Sequence, residues 1–261
     1  MHSRRFARCA FVWLAAGLAG VAQSQPLESS PVVPDATALV ERAFEAYRGL
    51  ASIGTMEMTI HRPSWERTQT LKAWTRGERE TLVTALAPVR DRGNGTLKIG
   101  ESMWIYNPKV NRIIKLPPSM MTQSWMGSDF SNNDLAKSDV LITDFDHRII
   151  GTEQRDSHTV YIVESIPHPD AAVVWGSQRL LIRDDNAFLR EEFFDEDGQL
   201  VKTLLFEDIR FVKGLPFAYV LTMQPVDKPD QHTRIRYSDI TFPDTLPDRL
   251  FTQSTLRNPP D

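Results

Sequence analysis

The sequence predicts a mainly β domain (α+β), built as an incomplete antiparallel β-barrel or strongly curved sheet with helices covering its concave face. Two observations predict this fold. Short segments of alternating apolar and polar residues recur at near-regular spacing without helices between them, which is typical of antiparallel sheets. One segment near the start has a helical period instead, and its apolar stripe needs a surface to cover.

The N-terminal residues have the composition of an export signal. Three arginines lie among the first eight residues, residues 10–21 are mostly apolar, and small residues precede a predicted cleavage site after Ala22. The apolar run is too short to span a bilayer comfortably. We therefore predict a signal peptide over residues 1–22, a periplasmic location, and a flexible Pro/Ser-rich leader over residues 23–34.

Charge and cysteine content exclude several classes of function. The chain has 30 basic and 34 acidic residues, and losing the three arginines of the signal leaves 27 against 34, a net charge of −7. This balance argues against nucleic acid as a partner. Cys9, the only cysteine, lies in the predicted signal, so we expect no disulfide, thiolate metal site or cysteine nucleophile in the mature chain.

One amphipathic helix is predicted at the start of a single domain over residues 35–261. Asp35 suits the N-cap position, and Gly49 follows the last helical residue. The apolar residues between them recur at helical spacing and predict about four turns packed against the sheet: Leu39, Val40, Ala43, Phe44 and Tyr47.

The sheet is predicted from a series of strands. Residues 55–61 alternate strictly, which places Met56, Met58 and Ile60 on one face. Turn residues such as those at 195–198 separate the strands. Further strands are predicted over 68–76, 79–87, 97–99, 103–106, 112–116, 146–153, 158–166, 178–183, 188–194, 200–212, 215–224 and 233–242, with short helical segments at 132–137 and 248–251.

An apolar connection at residues 125–135 gives the strongest functional signal. A connection normally lacks large apolar side chains unless they cover a core, a ligand or a partner. Methionine adds a side chain that adapts to irregular apolar shapes. The segment is predicted to be a mobile lid over a lipid cavity, a docking surface or a static plug. The candidate ligand-binding residues of the cavity and lid are Met56, Met58, Ile60, Trp74, Trp104, Met120, Met121, Trp125, Met126 and Phe130.

Catalytic and metal-binding patterns are weak. The chain has no Gly-x-Ser-x-Gly motif, and the five histidines after residue 22 lack the spacing of a zinc site. The sequence therefore predicts no catalytic residue, no metal and no cofactor. An enzyme acting on a hydrophobic substrate would instead need a polar cluster inside the cavity, for instance Glu57 or His61 beside Asp144 or Asp146.

Six motifs form an ordered set along the chain: MWIYNP at 103–108, NRII at 111–114, WMGSDF at 125–130, DG at 197–198, KGLP at 213–216 and PDRLFT at 247–252. This set resembles a known family, the periplasmic outer-membrane lipoprotein-sorting proteins of the LolA/LolB-like superfamily. The similarity covers nearly the whole mature chain.

The resemblance implies a function as well as a fold. It implies an incomplete barrel whose apolar cavity accepts acyl chains, without catalytic residues. It also implies two partners, namely lipid or lipoprotein acyl chains and an inner-membrane exporter of the resistance-nodulation-division type. We therefore predict a monomeric, chaperone-like periplasmic carrier or accessory protein for envelope trafficking. The alternatives are a protein-interaction subunit of an exporter and, ranked last, an enzyme acting on a hydrophobic substrate.

Overall fold

The fold is taken from a computed structural model that describes residues 33–136, 140–171 and 173–260. The predicted signal peptide and nearly all of the predicted leader lie outside these residues. Among the described helices, none combines the length and the apolar character needed to cross a membrane.

The first helix, α1 (Ala36–Arg48), confirms the sequence prediction at both ends. The Asp35 carboxylate accepts a hydrogen bond from the Ala38 N–H at 2.9 Å, which caps the first turn. Gly49 ends the helix with a φ of 63°, a conformation that favours glycine. A Cβ there would also lie 2.7 Å from the Phe242 ring, so close packing requires glycine as well.

The remaining described helices are short. Three are α-helical: α2 (Asn132–Ala136), α3 (Val140–Thr143) and α4 (Gln253–Arg257). Three are 3₁₀ turns, at Pro118–Met120, Trp125–Gly127 and Asp248–Leu250. The sequence predicted the elements near 132 and 248 and missed the others, because helices of three to five residues are too short to show a periodic pattern.

Thirteen strands form one antiparallel sheet in the described part of the chain, and each overlaps a predicted strand. They are β1 (Ala51–Arg62), β2 (Trp65–Arg76), β3 (Glu80–Ala87), β4 (Gly95–Ile99), β5 (Ser102–Asn107), β6 (Arg112–Lys115), β7 (Phe145–Arg155), β8 (His158–Pro167), β9 (Ser177–Arg183), β10 (Phe188–Phe194), β11 (Leu200–Val212), β12 (Leu215–Pro225) and β13 (His232–Thr241).

The strand order joins two meanders. It runs β6-β5-β4-β3-β2-β1-β13-β12-β11-β10-β9-β8-β7, so the first and last strands of the domain pair at the centre. The edge strands β6 and β7 follow each other in the chain but lie at opposite ends of the sheet. The predicted incomplete, curved sheet is therefore confirmed, and it is not closed into a barrel, because β6 and β7 do not pair with each other.

The register of β2–β5 separates two rows of side chains. Ala73, Val83, Thr96 and Ile105 are cross-strand neighbours in one row, and the next row contains Trp74, Leu82, Leu97 and Trp104. Successive residues of a strand point to opposite faces, so the two rows cover opposite faces of the sheet.

Different segments cover the two faces of the sheet. On the concave side α1 contacts β12, β7 and β9, and its buried side chains join the main core. On the opposite side the C-terminal segment brings Leu246, Phe251 and Leu256 onto the row that contains Trp74. Leu256 is almost fully buried there, and a Cβ on Gly95 would meet its side chain at 2.7 Å.

Candidate functional site

A cavity of about 280 Å³ lies on the concave side of the sheet. Ligand pockets span roughly 300–1,000 Å³, so this volume suits one slender ligand better than several. Most of its lining is apolar and comes from α1, both meanders and the segment between β6 and β7. The lining includes Phe44, Met56, Val83, Trp125, Phe130, Leu141, Phe145, Phe188, Leu204, Phe206, Leu221 and Ile235.

Residues 125–135, which we call the inner cover, form one wall of the cavity. A tight turn at Met126 (φ 51°) and Gly127 (φ 77°) lets the Trp125 N–H donate to the Phe130 carbonyl at 2.7 Å. The Trp125 indole N–H donates to the Thr96 hydroxyl at 2.9 Å, on the concave row of β4. Both aromatic side chains are thereby buried against the cavity.

A buried ion pair fastens the inner cover to the sheet. Two guanidinium nitrogens of Arg62 contact the two carboxylate oxygens of Asp129, each at 3.0 Å, and the side chains are only 14% and 7% exposed. The Asp129 N–H also donates to the Thr233 hydroxyl at 2.9 Å. Bidentate arginine–carboxylate pairs are strong and geometrically specific, so any opening of the inner cover must break this pair.

Three of the ten predicted cavity residues lie together at the cavity. Met56, Trp125 and Phe130 contribute to its lining. Met58 and Ile60 share the concave face of β1 with Met56 but are fully buried in the packed core beyond the cavity. Alternation identifies the face of a strand, but it cannot tell where along that face side chains leave a space.

The other five predicted residues lie elsewhere. Trp74 and Trp104 belong to the row on the opposite face, beneath the C-terminal segment. Met120 and Met121 pack at a separate cluster around Met103 and Leu116, and Met126 packs at the margin of the main core. Their proposed contact with a ligand stays a prediction.

A group of polar side chains at one end of the cavity was missed by the sequence reasoning. Asp134 of α2 makes an ion pair with Lys202 of β11, both about 8% exposed. The Lys202 ammonium also lies 4.8 Å from the Trp175 ring centroid and 5.0 Å from that of Phe193. Cation–π contacts of this kind help to hold a desolvated lysine in an apolar environment.

Glu191 is the most unusual side chain of the lining. Protein atoms surround it, yet it keeps some accessible surface because it borders the cavity, and it makes no hydrogen bond or ion pair with the described residues. Loss of solvation raises the pKa of Glu191 to about 8; the negative charge of Asp134 adds to this rise and Lys202 opposes it. The carboxyl group is therefore mainly protonated at neutral pH.

A sequence signal for Glu191 exists in the strand pattern. Glu191 and Phe193 are two positions apart on β10 and therefore share a face. A lone acidic residue beside an apolar one on an inward face of a predicted strand deserves testing as a site residue. The residues named in the enzyme hypothesis, Glu57, His61, Asp144 and Asp146, are not part of the described lining.

Two tyrosines and an arginine also belong to the polar part of the lining. Burial raises the pKa of the phenols of Tyr47 on α1 and Tyr237 on β13. Arg48 donates to the Thr81 hydroxyl of β3 at 3.2 Å, in the other meander from Glu191. The described lining contains no histidine.

A possible metal-ligand group lies away from the cavity. His158, Asp184 and Asp185 bring their ligand atoms within 4.8 Å of one another. Asp184 forms a hydrogen bond with the His158 ring at 2.6 Å, and Asp185 forms an ion pair with Arg183. These hydrogen bonds and ion pairs at a turn explain why the three side chains lie together, and the absence of a metal stays a prediction.

Comparisons with known proteins identify the family and the fold. A family model with the description "-like: Uncharacterized protein" matches residues 77–258, more than half of the chain. The chain belongs to this family. Comparison with curated proteins gives no match.

Solved structures confirm that the fold is LolA-like. An outer membrane lipoprotein-sorting protein domain from Vibrio parahaemolyticus is 22% identical, with a TM-score of 0.74, over 85% of this chain and 98% of that one. A DUF1329 family protein from Desulfovibrio piger is 23% identical, with a TM-score of 0.76, over 84% and 97%. A LolA superfamily protein from Nitrosomonas europaea is 23% identical, with a TM-score of 0.71, over 85% and 99%.

Proposed function

We propose that residues 35–261 form one lipid-binding domain that carries an acyl chain of a lipid or lipoprotein through the periplasm. The observation that carries this proposal is the mainly apolar cavity between the sheet, α1 and the inner cover. The lipoprotein-sorting description of a structural relative supports it. Export by the predicted signal peptide and a monomeric state are parts of the same proposal.

The energetics suit a carrier. Moving an apolar chain out of water gains about 0.8 kcal/mol per buried methylene, so a chain of about ten carbons has enough driving force to enter such a cavity. A volume near the lower limit of known ligand pockets favours one chain. Release then needs a competing acceptor or a conformational change, because a ligand shifts conformations only through differential contacts.

A pair of alanine substitutions tests whether the space is used. Ala73 lines the cavity on the concave row of β2, whereas Ala85 is buried in the packed part of the same core. Ala73→Phe should fill the cavity, abolish binding of a dansyl-labelled fatty acid methyl ester and leave the fold intact. Ala85→Phe should destabilise the protein, since overpacking a filled core costs about 1–3 kcal/mol.

The outcomes distinguish a lipid carrier from a domain whose interior is completely packed. Saturable binding of one probe by the native protein, lost in Ala73→Phe, supports the proposal. A probe that never binds, together with equal destabilisation by the two substitutions, would mean that the interior is filled.

A second candidate function is that of an interaction subunit of an inner-membrane exporter of the resistance-nodulation-division type. The observation that favours it is the unpaired outer edges of β6 and β7, where Ile114 and Ile150 are about 40% exposed. Unpaired strand edges can pair with another chain. A charged substitution on each edge, Ile114→Lys and Ile150→Lys, should abolish co-purification with an exporter but not probe binding if this candidate is correct.

A further inference from the structure

Strand register brings the polar side chains at one end of the cavity together. Phe193 on β10 pairs with Gln178 on β9 and with Lys202 on β11. Glu191 lies two residues earlier on the same face, and Asp134 reaches this end from α2 through its ion pair with Lys202. We call Gln178, Glu191 and Asp134 the polar end, because all three belong to the cavity lining.

Two atoms of the polar end are buried without a hydrogen-bond partner among the described residues. They are Gln178 Oε1, on a side chain that is 93% buried, and Asp134 Oδ1. Buried polar atoms in native proteins nearly always have a partner, and an unsatisfied one is costly. Both atoms can only accept hydrogen bonds, so the missing partner must be a donor.

Glu191 can act as a hydrogen-bond donor. Its carboxyl group is mainly protonated at neutral pH and makes no hydrogen bond with any described residue, so it can donate a hydrogen bond to an oxygen atom of a ligand in the cavity. A hydroxyl group both donates and accepts. It can therefore bond Gln178 Oε1 or Asp134 Oδ1 and also accept a hydrogen bond from Glu191.

We infer that the polar end is a head-group site for amphiphiles whose uncharged head donates hydrogen bonds, as hydroxyl groups do. The inference rests on the proposed function, since the acyl chain of the same ligand fills the apolar part of the cavity. The inference adds that the head group of the ligand is also bound inside the cavity, where the polar end determines which head groups bind.

Charge at the polar end disfavours an anionic head. The Lys202 ammonium is already paired with Asp134, so the two form a neutral unit. At the Glu191 carboxyl group the negative charge of Asp134 nevertheless outweighs the positive charge of Lys202, so a free carboxylate beside it would be repelled in a region of low dielectric. Arg48 also lines the cavity, but its guanidinium donates to Thr81 on β3, in the other half of the sheet.

Three compounds with the same acyl chain test the inference. They are 1-monolauroylglycerol with two hydroxyl groups, methyl laurate with no donor, and laurate with a carboxylate. Each is titrated at pH 7 against the native protein loaded with the fluorescent fatty acid methyl ester. Monolauroylglycerol should displace the probe about tenfold more effectively than methyl laurate, as expected for one or more neutral hydrogen bonds, and laurate should be the weakest.

Two buried glutamines provide a matched pair of variants. Gln178→Leu removes an unpaired acceptor at the polar end and should abolish the roughly tenfold preference for monolauroylglycerol over methyl laurate. Gln69→Leu removes an unpaired acceptor that is equally buried but lies outside this cavity, and it should leave the preference unchanged.

The results distinguish failure of this inference from failure of the proposed function. Equal affinities for the three compounds, strongest binding of laurate, or equal effects of the two glutamine variants would overturn the head-group site while leaving acyl-chain binding in place. If no compound binds and the probe does not bind, both proposals fail. The ranking by the native protein needs no variant, so a Gln178→Leu protein that does not fold leaves the test valid.

Discussion

Two segments cover the β1–β5 half of the sheet, one on each face, and they differ in how they fill the space beneath them. The inner cover (residues 125–135) lies on the concave face, and the C-terminal segment, which we call the outer cover (residues 243–257), lies on the opposite face. Both are held by an arginine–aspartate pair and both bury aromatic side chains. The inner cover borders a cavity, whereas the side chains beneath the outer cover form a buried apolar cluster.

The difference shows that aromatic content alone does not identify a binding site. Trp74 and Phe251 under the outer cover are as deeply buried as Trp125 under the inner one, but they pack in a filled layer. Beneath the inner cover, polar side chains from β9 and β10 of the other meander and from α2 line the cavity. The feature that marks the candidate site is a cavity lined by polar atoms that have no hydrogen-bond partner among the described residues.

The largest expected difference concerns the two ion pairs. Asp129→Ala leaves the buried Arg62 guanidinium without a counter-charge, and removing one partner of a buried pair costs about 3–5 kcal/mol. Asp248→Ala breaks a pair in which the aspartate is 95% exposed, so the free energy of unfolding should hardly change. Urea denaturation of both variants checks the comparison, and similar losses would show that the inner cover is not specially anchored.

The next effect concerns the filled layer. Leu256→Ala opens a hole beneath the outer cover and should lower the free energy of unfolding by about 2–5 kcal/mol, because the surrounding side chains cannot close it fully. Probe binding by the protein that remains folded should be unchanged, since Leu256 lies on the opposite face from the cavity. Weaker binding in this variant would mean that the two faces are coupled.

A smaller effect is expected from the pH dependence of stability. The pKa of Glu191 is about 8 in the folded chain and close to 4.5 when unfolded, so the folded state binds the extra proton between these values. The free energy of unfolding should therefore fall as the pH rises from about 5 to about 8, by about 2 kcal/mol if cavity water reduces the full effect.

The matched variant for this pH effect is Glu191→Gln, which keeps the shape of the side chain and removes its titration. Its stability should be nearly constant over the same range and should exceed that of the native protein at pH 8. Parallel curves for the two proteins would contradict an unpaired, protonated carboxyl group in the cavity.

The sequence predicted the fold more completely than the site, for a physical reason. Periods of 3.6 and 2 residues reveal α1 and the thirteen strands, because each element must bury one face. The curved, open sheet followed from the absence of alternating helices. The helical segments at 118–120, 140–143 and 253–257 were missed because one turn shows no period.

The site could be predicted only in part because a cavity depends on long-range pairing. Met56, Trp125 and Phe130 were found from alternation and from the apolar connection. Gln178, Glu191 and Asp134 lie on three separate elements; strand register brings the first two together, and the ion pair with Lys202 brings Asp134 to the same end of the cavity. Trp74 and Trp104 were placed by composition, and their register assigns them to the opposite face.

The most direct test of the central claim is native mass spectrometry of the protein purified from the periplasm. We expect a complex of one chain with one acyl-bearing molecule, and we expect Ala73→Phe to yield the chain without it. If the native protein and the variant both show only the mass of the chain, and added monolauroylglycerol produces no complex, the cavity beneath the inner cover does not carry a lipid.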